Sequence, residues 1–207
     1  MTKRVSILCF GNSLTAGYYQ FGLDYHPYAW KLESRLKAAF PSHTFLVNAE
    51  GLPGDLAIGP PGRFLPRIQE KCGERHYDWV IVLGGTNDLG YGYAPERIYP
   101  ALQDAWNVAL TGGSKVLALT IPECAAKNAA LDSKRADLNA RILAHEAERF
   151  HAFDLHAKIP YHASSEEFKE KMWDDGLHLT PHGYDLVGNE VADHLIELIQ
   201  SSGGLEA

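Results

Sequence analysis

Cysteine is scarce in this 207-residue chain, and Cys9, Cys72 and Cys124 are an odd number without metal-ligand spacing. A disulfide framework is therefore not expected, which suits a reducing compartment. Positive charge is in deficit too. Nineteen Lys and Arg against 26 Asp and Glu leave a formal charge of −7. Such a surface repels nucleic-acid phosphates and anionic membranes, while a neutral substrate feels little penalty. Long apolar runs are missing as well. Val5 to Phe10, just after Met1-Thr2-Lys3-Arg4, is too short for a signal-peptide core or a bilayer span. The expected location is cytoplasmic and the expected partner a small molecule, with no nucleic acid and no membrane. Nothing in the pattern specifies an oligomeric state.

What is present is ordinary soluble usage, 45% hydrophobic and 22% charged, in a length that suits one domain over residues 1–207. No internal repeat, low-complexity stretch or long linker divides it. Short apolar runs at Val5–Phe10, Thr44–Asn48, Trp79–Leu83 and Val116–Thr120 read as buried strands, with His151–Leu155 a weaker fifth. Helical stripes lie between them: Tyr28, Leu32, Leu36 and Ala39, then Ile98, Leu102, Ala105 and Ala109, then Leu138, Ile142 and His145. A last helix is predicted with Thr180 as N-cap, Pro181 at its first position and a stripe of Leu186, Val187, Val191, Leu195 and Leu198. The Ser201–Gly204 tail reads as a frayed end. Alternation of this kind predicts an α/β fold with a parallel sheet covered on both faces. Ligands in such folds sit beyond the carboxyl ends of the strands. The segments starting at Gly11, Ala49, Gly84 and Ile121 therefore share one rim, and Leu52–Pro66 is expected to be a long irregular loop on it.

Each rim segment has a plain reading and a chemical one. Gly11-Asn12-Ser13-Leu14 can present a serine hydroxyl to a cleft, or can simply turn and cap a helix. No Lys-Ser/Thr follows for a phosphate cradle, and Thr15 breaks the Gly-x-Ser-x-Gly elbow. At Asn48-Ala49-Glu50-Gly51-Leu52, a glycine allows close backbone approach or makes an ordinary turn. In Gly84-Gly85-Thr86-Asn87-Asp88, the Asn87 amide can donate to an oxyanion or hold an Asx turn. In Asp174-Asp175-Gly176-Leu177-His178, His178 suits a general base and Asp175, three residues back, can bind its other nitrogen. A metal pair at His178 and His182 is disfavoured because Thr180-Pro181 starts a helix between them. Together the four segments supply nucleophile, oxyanion donors, base and orienter.

The four blocks resemble the SGNH hydrolases, also called the GDSL esterase/lipase family, whose Ser, Gly, Asn and His occur in this chain order. Ser13 in Gly-Asn-Ser-Leu, Gly51, Asn87 in Gly-Thr-Asn-Asp and His178 in Asp-Gly-Leu-His carry the match, from residue 10 to residue 183. The resemblance implies a flavodoxin-like three-layer α/β/α sandwich with a five-stranded parallel sheet. It also implies a Ser13–His178–Asp175 triad and an oxyanion hole from the Ser13 and Gly51 N–H groups and the Asn87 amide. One residue departs from the pattern: Asn12 stands where the family has Asp, removing a charge beside the nucleophile. Asp174 is a rival orienter, and Asp175 is preferred for its Asp-x-x-His spacing. No cofactor and no metal is implied.

The activity expected is hydrolysis of short-chain carboxylic esters through an acyl-enzyme. Sugar acetates, thioesters and lysophospholipids are alternatives within the family, and a catalytically silent binding module is the alternative outside it. Tyr18, Leu52, Leu89, Tyr91 and Trp173 are the expected substrate contacts, with Tyr19, Tyr25, Tyr93 and Pro122 as further rim residues.

Overall fold

The computed structural model describes residues 3–201. Five strands form its main sheet: β1 (Lys3–Gly11), β2 (His43–Gly51), β3 (Trp79–Leu83), β4 (Lys115–Leu119) and β5 (Phe150–Phe153). All pair in parallel, in the spatial order β2-β1-β3-β4-β5. The main helices are α1 (Tyr28–Ala39), α2 (Phe64–Glu74), α3 (Pro95–Thr111), α4 (Ala129–Leu143) and α5 (Pro181–Ser201).

Successive residues of a strand point to opposite faces, so a sheet covered twice needs apolar residues at every position. That is the pattern here. Ile7, Cys9, Ile81, Leu83, Leu117 and Leu119 pack on one side with α1 and α5. Leu8, Phe10, Val80, Val82, Val116 and Ala118 pack on the other with α2, α3 and α4. The result is the flavodoxin-like α/β/α sandwich that the family resemblance implies. Gly11 pairs with both Gly51 and Leu83. The ends of β2, β1 and β3 are therefore level, and the chain leaves all three side by side at the point where the strand order reverses.

Several boundaries differ from the sequence reading. The β2 ladder runs three residues past Asn48, because Ala49, Glu50 and Gly51 keep their pairing with β1. β5 stops at Phe153, since Asp154 caps a short turn at Leu155–Lys158 by accepting from Ala157 N–H. The irregular loop ends at Arg63, and α2 begins at Phe64 with Pro66 inside its first turn. That helix buries only Phe64 and Ile68, too few positions for a visible stripe. Ala39 is exposed, and His145 lies beyond the end of α4. Thr180 does cap α5, its Oγ1 accepting from Gly183 N–H at 3.3 Å. Of the predicted tail, Ser201 closes α5 and the rest lies outside the described residues.

Candidate active site

β1 ends at Gly11 and the chain turns at once into Ser13–Ala16, one helical turn. Thr15 and Ala16 N–H donate to the Asn12 carbonyl, at 3.1 and 3.0 Å, and the Ser13 N–H is left outside this pattern. A Cβ on Gly11 would overlap Thr15 Oγ1 and the Leu83 carbonyl, so only glycine lets the turn sit hard against β3. Ser13 is buried, and its Oγ lies 3.0 Å from His178 Nε2, from a residue 165 positions away.

His178 is held by a tight reversal before α5. Trp173 and Leu179 form an antiparallel bridge, and Asp174 N–H donates to the His178 carbonyl at 2.8 Å. Gly176, at φ +79°, makes the reversal. Inside it, Asp175 Oδ1 accepts from Leu177 and His178 N–H, at 2.9 and 2.7 Å, while Oδ2 lies 2.7 Å from His178 Nδ1. One carboxylate thus builds the loop and orients the imidazole. Burial pushes the Asp175 carboxyl up, but the bonds from the His178 ring and the His178 and Leu177 N–H groups outweigh it. Its pKa lies below the ordinary value, and the group is ionised at neutral pH. Both ring nitrogens of His178 are engaged.

Asp174 has a different task. Its Oδ2 accepts from Gln20 N–H at 2.7 Å, tying down the ribbon whose strands are Tyr18–Tyr19 and Asp24–Tyr25. Tyr184 Oη donates to the Tyr18 carbonyl at 2.7 Å, and the Tyr18 ring lies against that of His178.

On the other side of Ser13, Asn87 lies in the turn Thr86–Gly90, entered through Gly85 at φ +96°. Its Nδ2 donates one hydrogen to the Asp55 carbonyl at 2.8 Å, and an amide nitrogen carries two. The next residue, Asp88, is fully buried and accepts from Ala57 and Ile58 N–H at 2.9 and 3.0 Å. Burial raises its carboxyl pKa, the amide bonds oppose the rise, and the charge of Asp55 adds to it. These bonds stitch the 52–63 loop to the Asn87 turn. Gly51 packs so close to the Ser13 turn that a Cβ there would overlap Ala16 N and meet the Asn12 carbonyl at 2.6 Å. Gly54, at φ +78°, has open space where a Cβ would stand. In the sequence Gly54 is marked only by the Gly-Asp pair that follows Pro53.

Asn12 is 1% exposed, and neither atom of its side-chain amide has a protein partner among the described residues. It makes no cap bond to the turn it precedes. The departure from the family pattern thus falls on a buried polar group beside the nucleophile.

A cavity of about 580 Å³ opens beside Asn87 and the Asp175–Leu177 reversal. Leu89, Ile121, Pro122, Leu131 and Leu177 give it an apolar lining, and Cys124 and Arg135 add polar groups. Arg135 is 4% exposed, with Nη1 donating to Asp132 Oδ1 at 2.8 Å. Of the expected substrate contacts, Leu89 and Tyr91 line this cavity and Tyr18 reaches the site through His178. Leu52 lies outside the lining, its N–H donating to the Gly11 carbonyl at 3.2 Å. Trp173 is buried in the core against Tyr161.

A family model of GDSL-like lipases/acylhydrolases matches residues 9–186. The chain belongs to that family. It is a carboxylic ester hydrolase by that membership, and no curated protein matches its sequence. Among solved structures it is similar to an aryl esterase of M. smegmatis in an inhibitor-bound form, with 20% identity and a TM-score of 0.73 over 94% of this chain and 99% of that one. A carbohydrate acetylesterase of Sinorhizobium meliloti matches with 20% identity and TM-score 0.73, over 94% and 99%. A lipase/acylhydrolase of Enterococcus faecalis gives 22% and 0.73, over 93% and 96%. At these identities the likeness is one of fold. No described helix of this family member is long and apolar enough to cross a membrane.

Proposed function

We propose that the protein is a serine esterase of short carboxylic esters, with Ser13 as nucleophile, His178 as base and Asp175 as orienter. The observation that carries this reading is the unbroken path from Asp175 Oδ2 to His178 Nδ1, 2.7 Å, and from His178 Nε2 to Ser13 Oγ, 3.0 Å. His178 takes the Ser13 proton as Oγ bonds to the ester carbonyl carbon, and Asp175 stabilises the imidazolium formed. The oxyanion is held by the Ser13 N–H, the second hydrogen of the Asn87 amide and an N–H of the 51–54 loop. That of Gly54 is favoured over that of Gly51, which faces away from β1 because Leu52 N–H donates to the Gly11 carbonyl beside it. Loss of one such donor costs about 10²- to 10³-fold in kcat in enzymes built this way. His178 then gives its proton to the departing alcohol. Water attacks the acyl-enzyme with His178 taking its proton, and Ser13 leaves with that proton restored. No step needs a metal or cofactor.

The cavity beside Asn87 is the proposed acyl site. Its apolar lining suits a short alkyl or aryl group, and the buried Arg135 guanidinium sets a polar limit on a longer chain. Free Cys9, Cys72 and Cys124 support a reducing, cytoplasmic setting. A second reading, a sugar acetyl esterase, is favoured by Tyr91, which is 73% exposed at the cavity mouth and stacked on Tyr93 with centroids 6.5 Å apart. Aromatic faces of this kind suit a sugar ring.

The test is hydrolysis of p-nitrophenyl acetate, butyrate, octanoate and laurate, with acetylated xylose and acetyl-CoA alongside and Ser13→Ala as control. Rates that fall beyond butyrate and vanish in Ser13→Ala support the short-chain esterase. Preference for the acetylated sugar selects the second reading. Equal slow hydrolysis by both proteins would sink the serine mechanism.

A further inference from the structure

The serine-esterase reading needs three loops, from three different strands, held in one geometry. We infer that Arg67, locked by Asp55, is the positioning residue that sets the oxyanion hole by joining those loops from beneath. The inference rests on the reading just proposed.

Arg67 belongs to α2, a helix with no catalytic block of its own, yet its guanidinium reaches back under the level strand ends. Nη1 donates to the Gly11 carbonyl at 3.1 Å and to Asp55 Oδ2 at 2.7 Å. Nη2 donates to the Glu50 carbonyl at 3.0 Å. The arginine side chain is 12% exposed and that of Asp55 3%, and the guanidinium lies over the Phe10 ring, 4.7 Å from its centroid.

Each contact controls one part of the hole. The Gly11 carbonyl closes the residue before Asn12, so holding it fixes where the Ser13 turn begins. The Glu50 carbonyl belongs to the peptide that leads into the 51–54 loop, so holding it fixes where that loop leaves β2. Asp55 carries the third part. Its carboxylate accepts from Arg67 and, through Oδ1, from Leu56 and Arg63 N–H at 3.0 and 2.7 Å, while its backbone carbonyl receives the Asn87 amide. The planar fork of arginine meets carbonyls on two adjacent strands and a carboxylate at once from two nitrogens held at fixed spacing. An ammonium is a single point of charge.

A merely structural ion pair would lower stability when broken and leave the chemistry of the folded fraction alone. A positioning pair makes a sharper demand. Because the oxyanion forms only in the transition state, misaimed donors lower kcat while KM stays.

The experiment uses full-length Arg67→Met, Arg67→Lys and Asp55→Asn, each checked for fold by circular dichroism and thermal melting. Steady-state hydrolysis of p-nitrophenyl acetate separates kcat from KM. Inhibition by phenylboronic acid, whose tetrahedral serine adduct resembles the intermediate, reports on the hole directly. Misplacement on the ångström scale costs about 100-fold, so Arg67→Met and Asp55→Asn are expected to lose about 10- to 100-fold in kcat. KM should stay within about threefold, and boronate affinity should weaken in proportion to kcat. Arg67→Lys should recover only part of the loss. Folded variants that keep kcat and boronate affinity within about twofold, with only the melting temperature lowered, overturn the inference. If Arg67→Met does not fold, Asp55→Asn decides by the same criteria, since it keeps the backbone carbonyl that holds Asn87. Ser13→Ala runs in parallel. An inactive Ser13→Ala beside a fully active Arg67→Met overturns this inference alone, whereas an active Ser13→Ala overturns the esterase reading beneath it.

Discussion

The ring of Tyr18 lies against that of His178, with centroids 4.5 Å apart and planes tilted by 46°. The tyrosine is held there through its backbone, by Tyr184 Oη on its carbonyl and by Asp174 on the Gln20 N–H. Its side chain therefore acts as a wall that keeps the imidazole in the plane leading to Ser13. Tyr18→Phe keeps the wall and should retain kcat within about twofold, since the contact with His178 is made by the ring. Tyr18→Ala frees the imidazole and should lower kcat by about tenfold, as positional slack of this kind does. Equal kcat values for the two variants on p-nitrophenyl acetate would refute the wall.

Gly51 and Gly54 separate a packing role from a chemical one. A Cβ at Gly51 collides with backbone at Ala16, which cannot yield cheaply. Gly51→Ala should lose several degrees in melting temperature along with activity, as overpacking against fixed atoms costs about 1–3 kcal/mol. Gly54→Ala meets no atoms but must hold φ +78° with a side chain, a strain of about 1–2 kcal/mol. If the Gly54 N–H serves the oxyanion, Gly54→Ala lowers kcat more than its melting temperature suggests. If it does not, kcat in the folded Gly54→Ala protein stays near that of wild type. Paired melting and kcat measurements on both variants make the distinction.

Asp88 and Asp175 bias stability in opposite directions with pH. Asp175 is held low in the folded state, so its stabilisation is complete above the unfolded value, about 3.9, and is lost as pH falls through the folded one. Asp88 is held high. Between about 3.9 and its raised folded value the native protein keeps a proton that the unfolded chain has released, so stability declines as pH rises through that window. Melting curves of wild type, Asp175→Asn and Asp88→Asn from pH 3 to 7 should show this. The advantage of wild type over Asp175→Asn shrinks toward pH 3, while its advantage over Asp88→Asn grows. Differences that ignore pH would contradict both assignments.

The sheet was legible in the sequence because each strand is apolar on both faces, and α5 because Thr180 and Pro181 punctuate its start. The four rim segments were legible because their chemistry is carried by short, local runs. What escaped were contacts whose partners are remote in sequence. Arg67 looks like one more charge on a polar helix until the fold brings it under Gly11 and Glu50. Asp174 could not be told from Asp175 by composition. The structure separates them by what each accepts, Gln20 N–H for the first and the His178 ring for the second. Trp173 is an expected substrate contact as one of the aromatic rim residues, yet the Trp173–Leu179 bridge accompanies its burial in the core.

The cavity assignment can be tested through its own cysteine. Cys124 is half-buried and lines the cavity, with Arg135 Nη2 at 3.4 Å from its sulfur. Cys9 is fully buried, and that burial pushes its thiol up to about 12, with a contact from Tyr28 opposing the rise. Burial also raises the Cys72 thiol. The thiolate is the reactive form, so N-ethylmaleimide at neutral pH should modify Cys124 first. The adduct then fills space proposed for the acyl group. Wild type should lose most of its esterase activity as one equivalent is incorporated, and butyrate hydrolysis should suffer more than acetate hydrolysis. Cys124→Ser should keep its activity under the same treatment, because Cys9 is buried and Cys72 lies outside the cavity lining. Peptide mass spectrometry locates the adduct. Full activity with Cys124 quantitatively modified would place the substrate outside this cavity and remove the support it gives to a short acyl group.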